Sequence, residues 1–323
     1  MQGQEATEPN SRPKSNIGID VSKDWLDVHV LPSGHRFRVS NDAQGQRQLK
    51  RRISGFAIAC AAVEPTGKWH RALCRSLNAS GIAVMVADPF RVRMFAKASG
   101  LLAKTDRIDA AVLAAFAAAM ARAARPLASE AVEAIAELVT ARDSAVAEQT
   151  SLKNQHHAAY DSFLKRQLGL RIRAAGKAIA ALEAEIQRRI AADPTLAQRH
   201  AILCSIPGIG EVTAALAIAK LPELGALTDK QAAMLAGLAP IADQSGKRDG
   251  PRSVHGGRAC ITRGFYIAAI SAARYNPALK TFYMRLRAAQ KPAKCALIAV
   301  ARKLIVLANT LIAQNRMWLP TAP

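Results

Sequence analysis

The chain has 323 residues, enough for two domains with separate cores. Half of it is hydrophobic but only 5% is aromatic, and 45 Lys+Arg stand against 24 Asp+Glu, a net charge of +21. Such a surplus suits a polyanionic partner. No run of 18 uncharged apolar residues argues for a membrane span. The five cysteines are scattered without a C-x-x-C pair, which speaks against a zinc or disulfide framework and fits a reducing cytoplasm.

In chain order, residues 1–15 are polar, carry Glu5, Glu8, Arg12 and Lys14, and read as a disordered lead-in without a signal peptide's apolar stretch. Residues 16–124 read as α/β. Ile17–Val21 and Trp25–Val30 predict strands joined by a short turn, with Phe37–Val39 a possible third. Ile58–Val63 and Ile82–Ala87 are short apolar runs of the kind buried in parallel sheets. Helices are predicted over about Trp69–Leu77 and from Asp106 to about Ala121. The order β-β-β-α-β-α-β-α matches a ribonuclease-H-like sheet.

Residues 125–193 change character to a long Ala/Glu/Arg segment that Gly169 is expected to divide into two helices. Ile172, Ala175, Ile179, Leu182 and Ile186 recur at spacings of three and four, a coiled-coil-like seam. An antiparallel hairpin follows, either separating domains, pairing subunits or packing within one subunit. Residues 194–318 read as mostly helical, with 319–323 a tail. Residues 241–323 hold 14 Lys+Arg against Asp243 and Asp249 alone, so most of the excess charge lies there.

Four carboxylates stand out. Asp20 lies in an apolar strand, Glu64 ends another before the breakers Pro65 and Gly67, and Asp106 with Asp109 opens a helix that Thr105 could cap. Asp106 and Asp109, three apart, share one helix face. Acidic residues in a first helical turn are ordinary dipole partners; an Asp inside an apolar strand is less ordinary, because an unpaired buried carboxylate is costly. Converging, the four would repel one another unless cations joined them, and two Mg²⁺ ions about 3.5–4 Å apart would activate a phosphodiester.

Ser205-Ile206-Pro207-Gly208-Ile209-Gly210 lies between two predicted helices. It has the shape of a helix-hairpin-helix, whose glycines let amides approach a phosphate, or of a plain helix–helix turn. Ser245 follows in an expected glycine-rich loop with Lys247, Arg248, Arg252, His255, Arg258 and Arg263 close by in sequence. A serine among cations could attack phosphorus, though Ser-Gly is also a common turn.

Together these motifs resemble the DEDD transposases of bacterial insertion sequences, the family numbered one-ten with its eleven-eleven subgroup. Ile17-Gly-Ile-Asp-Val-Ser-Lys23, Glu64-Pro-Thr-Gly67 and Lys104-Thr-Asp-Arg-Ile-Asp-Ala110 carry the resemblance in the first half. Ile206–Gly210, Leu235–Pro240, Gln244-Ser-Gly246, His255–Arg258, Arg274–Pro277 and Lys294–Lys303 carry it in the second. The resemblance implies a RuvC-like DEDD domain, a coiled-coil linker and a C-terminal transposase domain. It implies Mg²⁺, two ions per site, on Asp20, Glu64, Asp106 and Asp109, and Ser245 as a nucleophile that forms a phosphoserine link. Partners implied are donor and target DNA, a structured guide (bridge) RNA, and further copies of the chain sharing a composite site; no membrane is implied. Gly208, Gly210, Lys247, Arg248, Arg252, Arg258 and Arg263 are then expected to contact nucleic acid. Rival readings are a Holliday-junction-type nuclease without serine chemistry, a sugar-kinase-like ATPase, and a non-catalytic DNA-binding protein. No P-loop precedes residue 200 to support the second.

Overall fold

The computed structural model describes residues 14–101, 106–120, 128–245 and 248–320, with only the backbone described at 106, 107, 248, 249 and 251. The chain forms two compact units, residues 1–127 and 128–323.

The first unit is a mixed sheet. Its elements are β1 (Lys14–Val21), β2 (Trp25–Leu31), β3 (His35–Ser40), α1 (Ala43–Ile53), β4 (Ala57–Val63), α2 (Trp69–Asn78), β5 (Val84–Val86), α3 (Pro89–Ala98) and α4 (Asp106–Met120). The strand order is β3-β2-β1-β4-β5, with β1–β2 and β2–β3 antiparallel and β1–β4 and β4–β5 parallel. β1 therefore stands at the centre of the sheet, with neighbours on both sides. It begins at Lys14, so Lys14 and Ser15 leave the expected lead-in, whose residues 1–13 lie outside the described residues.

The two faces of this sheet are separated by the period-two alternation of strands. Ile17, Ile19 and Val21 of β1, Leu26, Val28 and Val30 of β2, and Ala61 and Val63 of β4 pack with Leu49, Ile53, Leu73 and Leu77 of α1 and α2. The other face of β4, Cys60 and Ala62, packs with Val92 of α3 and Leu113, Phe116 and Ala117 of α4. α3 was not anticipated from sequence. It is opened by Pro89 and by Asp88, whose carboxylate accepts from Arg91 N at 2.9 Å. α4 lies very close to β1: a Cβ built on Gly18 would stand 2.0 Å from Ala110 O and 2.3 Å from Ala114 N. Gly18 is thus the residue that lets a helix backbone rest on a strand backbone.

The second unit opens with α5 (Glu130–Ala158) and α6 (Ser162–Ala192), an antiparallel hairpin. The division falls at residues 159–161, not at Gly169, which sits inside α6. Asp161 caps α6 by accepting from Leu164 N at 2.8 Å, a stronger local signal than one glycine, whose cost within a helix is only about 1 kcal/mol. Arg142 to Glu183 (2.8 Å) joins the two helices. The base of the hairpin (Val132, Ile135, Val139, Ile186, Ile190) belongs to the core of this unit, and Lys220 Nζ, at the end of a later helix, donates to Ala136 O and Thr140 Oγ1 of α5.

That core is completed by α7 (Pro194–Ser205), α8 (Glu211–Lys220), α9 (Asp229–Leu235), α10 (Ala259–Tyr275), α11 (Pro277–Ala288) and α12 (Ala293–Ala313). α12 is long and apolar enough to cross a membrane by length and composition, with mean hydropathy 1.9, but Ala296, Val300, Ala301, Leu304, Ile305, Ala308 and Leu311 fill the core. Its buried Asn309 takes the amide of Gly225 at 2.7 Å and donates to Leu227 O at 2.7 Å, pinning the loop after α8. Between α9 and α10 stands a two-stranded ribbon, β6 (Pro240–Ser245) and β7 (Arg248–Val254), where a loop was expected.

Candidate active site and nucleic-acid interface

Asp20 and Glu64 are carried to one place by the sheet. Gly18, two residues before Asp20, faces α4, so Asp20 is on the same face. Ile19 is the Cα partner of Val63 in the parallel β1–β4 pair, and continuing that register by one residue sets Asp20 beside Glu64. Cys60 and Ala62 face α3 and α4, so Glu64 continues on their side. Asp106 and Asp109 occupy the first turn of α4, the helix whose Ala110 meets Gly18. Asp20, Glu64 and Asp109 are each half-buried; the side chain of Asp106, and Thr105, lie outside the described residues. All three described carboxylates engage neighbouring groups. Among the described residues no three His, Cys, Asp or Glu side chains are gathered tightly enough to hold an ion as they stand. The donor set itself, carboxylate oxygens only, is the hard kind that suits Mg²⁺.

A further carboxylate, to which sequence reasoning gave no role, lies on this face. Asp27 is the Cα partner of Asp20 across β1–β2. Two like charges directly opposite would destabilise the pair, and Arg38 offsets this with Nε and Nη2 donating to Asp27 Oδ1 and Oδ2 at 2.9 and 2.8 Å. Beside them His29 is buried, and burial together with the Arg36 cation holds its imidazole below the ordinary histidine range. Neutral at Nδ1, it accepts from Arg36 Nε at 2.9 Å. The period-two pattern of Asp27 and His29 against Arg36 and Arg38 was the signal that could have shown this cluster.

In the second unit Ser245 is the exposed last residue of β6, paired with Arg248 of β7, rather than part of a loop. Lys247 lies outside the described residues, as does the side chain of Arg248. Arg252 and Arg263 are exposed, and Ser253 Oγ lies 3.2 Å from His255 Nδ1. Arg258 is engaged internally. Its two terminal nitrogens donate to the Glu223 carboxylate at 2.8 and 2.7 Å and to Lys220 O at 2.7 Å, holding the start of α10 against the end of α8. Gly208 has a positive φ of 111°, and a Cβ there would meet Ala272 at 2.5 Å, so packing on α10 explains this glycine. Gly210 is different: it is the exposed N-cap of α8, with open space around its Cα.

Two family models match the chain: the DEDD transposase of the IS110 type over residues 17–164, and the "Transposase IS116/IS110/IS902 family" over residues 200–284. This chain belongs to the IS110 family of transposases. It is similar along nearly its whole length to the "Pilin gene-inverting protein" of Moraxella bovis and that of Moraxella lacunata. Each is 26% identical over 314 residues, 94% of this chain and 97% of the relative. An uncharacterized 43.6 kDa protein of insertion element IS110 from Streptomyces coelicolor is 33% identical over 127 residues, 39% of this chain and 30% of that one. The transposase is accordingly an enzyme that acts on DNA. The first matched region spans the carboxylate face, and the second spans Ser245 and the helix–turn–helix around Gly208.

Proposed function

We infer that the transposase cuts and rejoins DNA strands using the four carboxylates of a RuvC-like first unit and Ser245 of the second. The observation that carries this reading is the shared face of Asp20, Glu64 and the first turn of α4 at one end of a mixed sheet. Asp20, Glu64, Asp106 and Asp109 would hold Mg²⁺, two ions per site, which would supply charge neutralisation and Lewis acidity at the scissile phosphate. Ser245 Oγ attacks phosphorus, its proton leaves, and a deoxyribose hydroxyl departs with a proton. The phosphoserine ester keeps the bond energy, so a second deoxyribose hydroxyl can displace Ser245 without ATP. The ribbon that bears Ser245 also brings Arg248 and Arg252, and Gly210 leaves the amide end of α8 open to a phosphate.

Rejoining agrees with the relatives named for inverting a gene, since an inverted segment must be resealed. Family resemblance adds a structured guide RNA that selects donor and target, and assemblies in which acids and serine come from different copies. The enzyme works in the cytoplasm, at the nucleoid. Sequencing the small RNA that co-purifies with the protein from its host is expected to return one dominant structured species; only ribosomal fragments would remove the guide.

A nuclease of Holliday-junction type would need the carboxylates alone. Ser245→Ala separates the two readings: covalent protein–DNA adducts and joined products are expected to fall by at least about 10³-fold, with DNA binding retained. Joining at the normal rate would remove the serine from the mechanism.

A further inference from the structure

β2 and β3 continue the carboxylate face beyond β1. Trp25, Asp27 and His29 of β2 are the Cα partners of Ser40, Arg38 and Arg36 of β3, and all stand on the side opposite the core residues Leu26, Val28, Val30 and Val39. A cavity lies there, lined by Asp27, Val28, His29, Arg36, Phe37 and Arg38 of the two strands and by Ala110 of α4. Its parts are fixed in place. Arg38 is held by both oxygens of Asp27, and its guanidinium carbon lies 5.9 Å from the centre of the half-exposed Trp25 ring. Arg36 is held at Nε by buried His29.

Charge decides what such a ledge receives. Asp27 offsets the Arg38 guanidinium, whereas Arg36 donates only to the acceptor Nδ1 of His29 and keeps its positive charge beside a cluster of carboxylates. The two arginines are two residues apart on one strand, about 6.6 Å, close to the spacing of successive phosphates in an extended nucleic-acid strand. The Trp25 ring offers a stacking surface at the end nearest the β1–β2 turn, two residues from Asp27.

We propose that this ledge holds the backbone of the DNA strand being cut, with phosphates on Arg36 and Arg38 and the adjoining base on Trp25. The proposal rests on the carboxylate site inferred above: the strand leaving Asp20 crosses to its partner Asp27 and so onto the ledge. Arg36 and Trp25 act as positioning residues, setting where the scissile phosphate lies.

The test uses the full-length protein and a fluorescein-labelled 12-nucleotide oligo-dT, with oligo-rU of the same length for comparison. Arg36→Ala and Trp25→Ala, each with an unchanged melting temperature, are expected to weaken oligo-dT binding about tenfold. Arg36→Ala is also expected to reduce the slope of log affinity on log salt by about 1, and Trp25→Ala to leave that slope unchanged. Replacing single phosphates by methylphosphonate should weaken the wild type at one position and cost Arg36→Ala nothing further at that position. Arg36→Lys should restore the salt slope. Unchanged affinity and slope in Arg36→Ala, or a loss confined to oligo-rU, overturns the proposal. If Asp20→Asn still cuts DNA while the ledge variants lose binding, the carboxylate reading falls and the ledge remains a DNA surface.

Discussion

Asp20→Asn is expected to lower DNA cleavage by at least about 10³-fold and to leave oligonucleotide affinity within about threefold. The change keeps the shape of the side chain and removes one charge from the group that would hold the cations. Each tenfold in rate is about 1.36 kcal/mol, and the charge stabilisation that divalent ions supply to a phosphoryl transition state amounts to several kcal/mol. Binding is spared because the phosphate backbone is attracted by the basic surface, where residues 241–323 alone carry 14 Lys+Arg. Gel assays of nicking and anisotropy measurements of affinity on the same preparation check both halves. Cleavage at the wild-type rate would remove Asp20 from the site.

Gly18→Ala is expected to destabilise the first unit severely by pushing α4 off β1. The added carbon would lie 2.0 Å from Ala110 O and 2.3 Å from Ala114 N, both backbone atoms that no rotamer change can move. Helix α4 must retreat from β1 by more than about 1 Å, and overpacking of this kind costs about 3 kcal/mol. In a unit of this size the melting temperature should fall by at least about 10 °C. The same retreat moves Asp109 away from Asp20, so cleavage should fail even below the new melting point. Gly55→Ala serves as the control, since nothing lies within 4 Å of the carbon it adds. A melting temperature unchanged by Gly18→Ala would mean that α4 does not rest on β1 in this way.

What sequence could reveal followed from periodicity. Ile17, Ile19 and Val21, and Leu26, Val28 and Val30, alternate because one face of each strand meets α1 and α2, and that same alternation sends Asp20 and Asp27 to the other face. Glu64 needed only the breakers after it. The features that stayed hidden depend on distant partners. Arg258 is indistinguishable in sequence from its basic neighbours, and only the fold brings Glu223 to it from 35 positions away. Gly208 carries the signature of a phosphate turn, yet the atom it avoids is Ala272 on α10. The ribbon β6–β7 contains Pro240, Gly250 and Pro251, residues that local propensity assigns to turns. Gly169 looked like a boundary because glycine is a poor helix former, but α6 runs through it with little steric interference.

The place of α12 bears on synthesis at the ribosome. Early segments can settle while later ones are still being made, but α12 is the last helix of its unit and supplies seven of its core side chains. The second unit therefore stays unfinished until α12 has been made. A chain cut short before residue 293 lacks these side chains and leaves an open apolar cleft, prey for proteases.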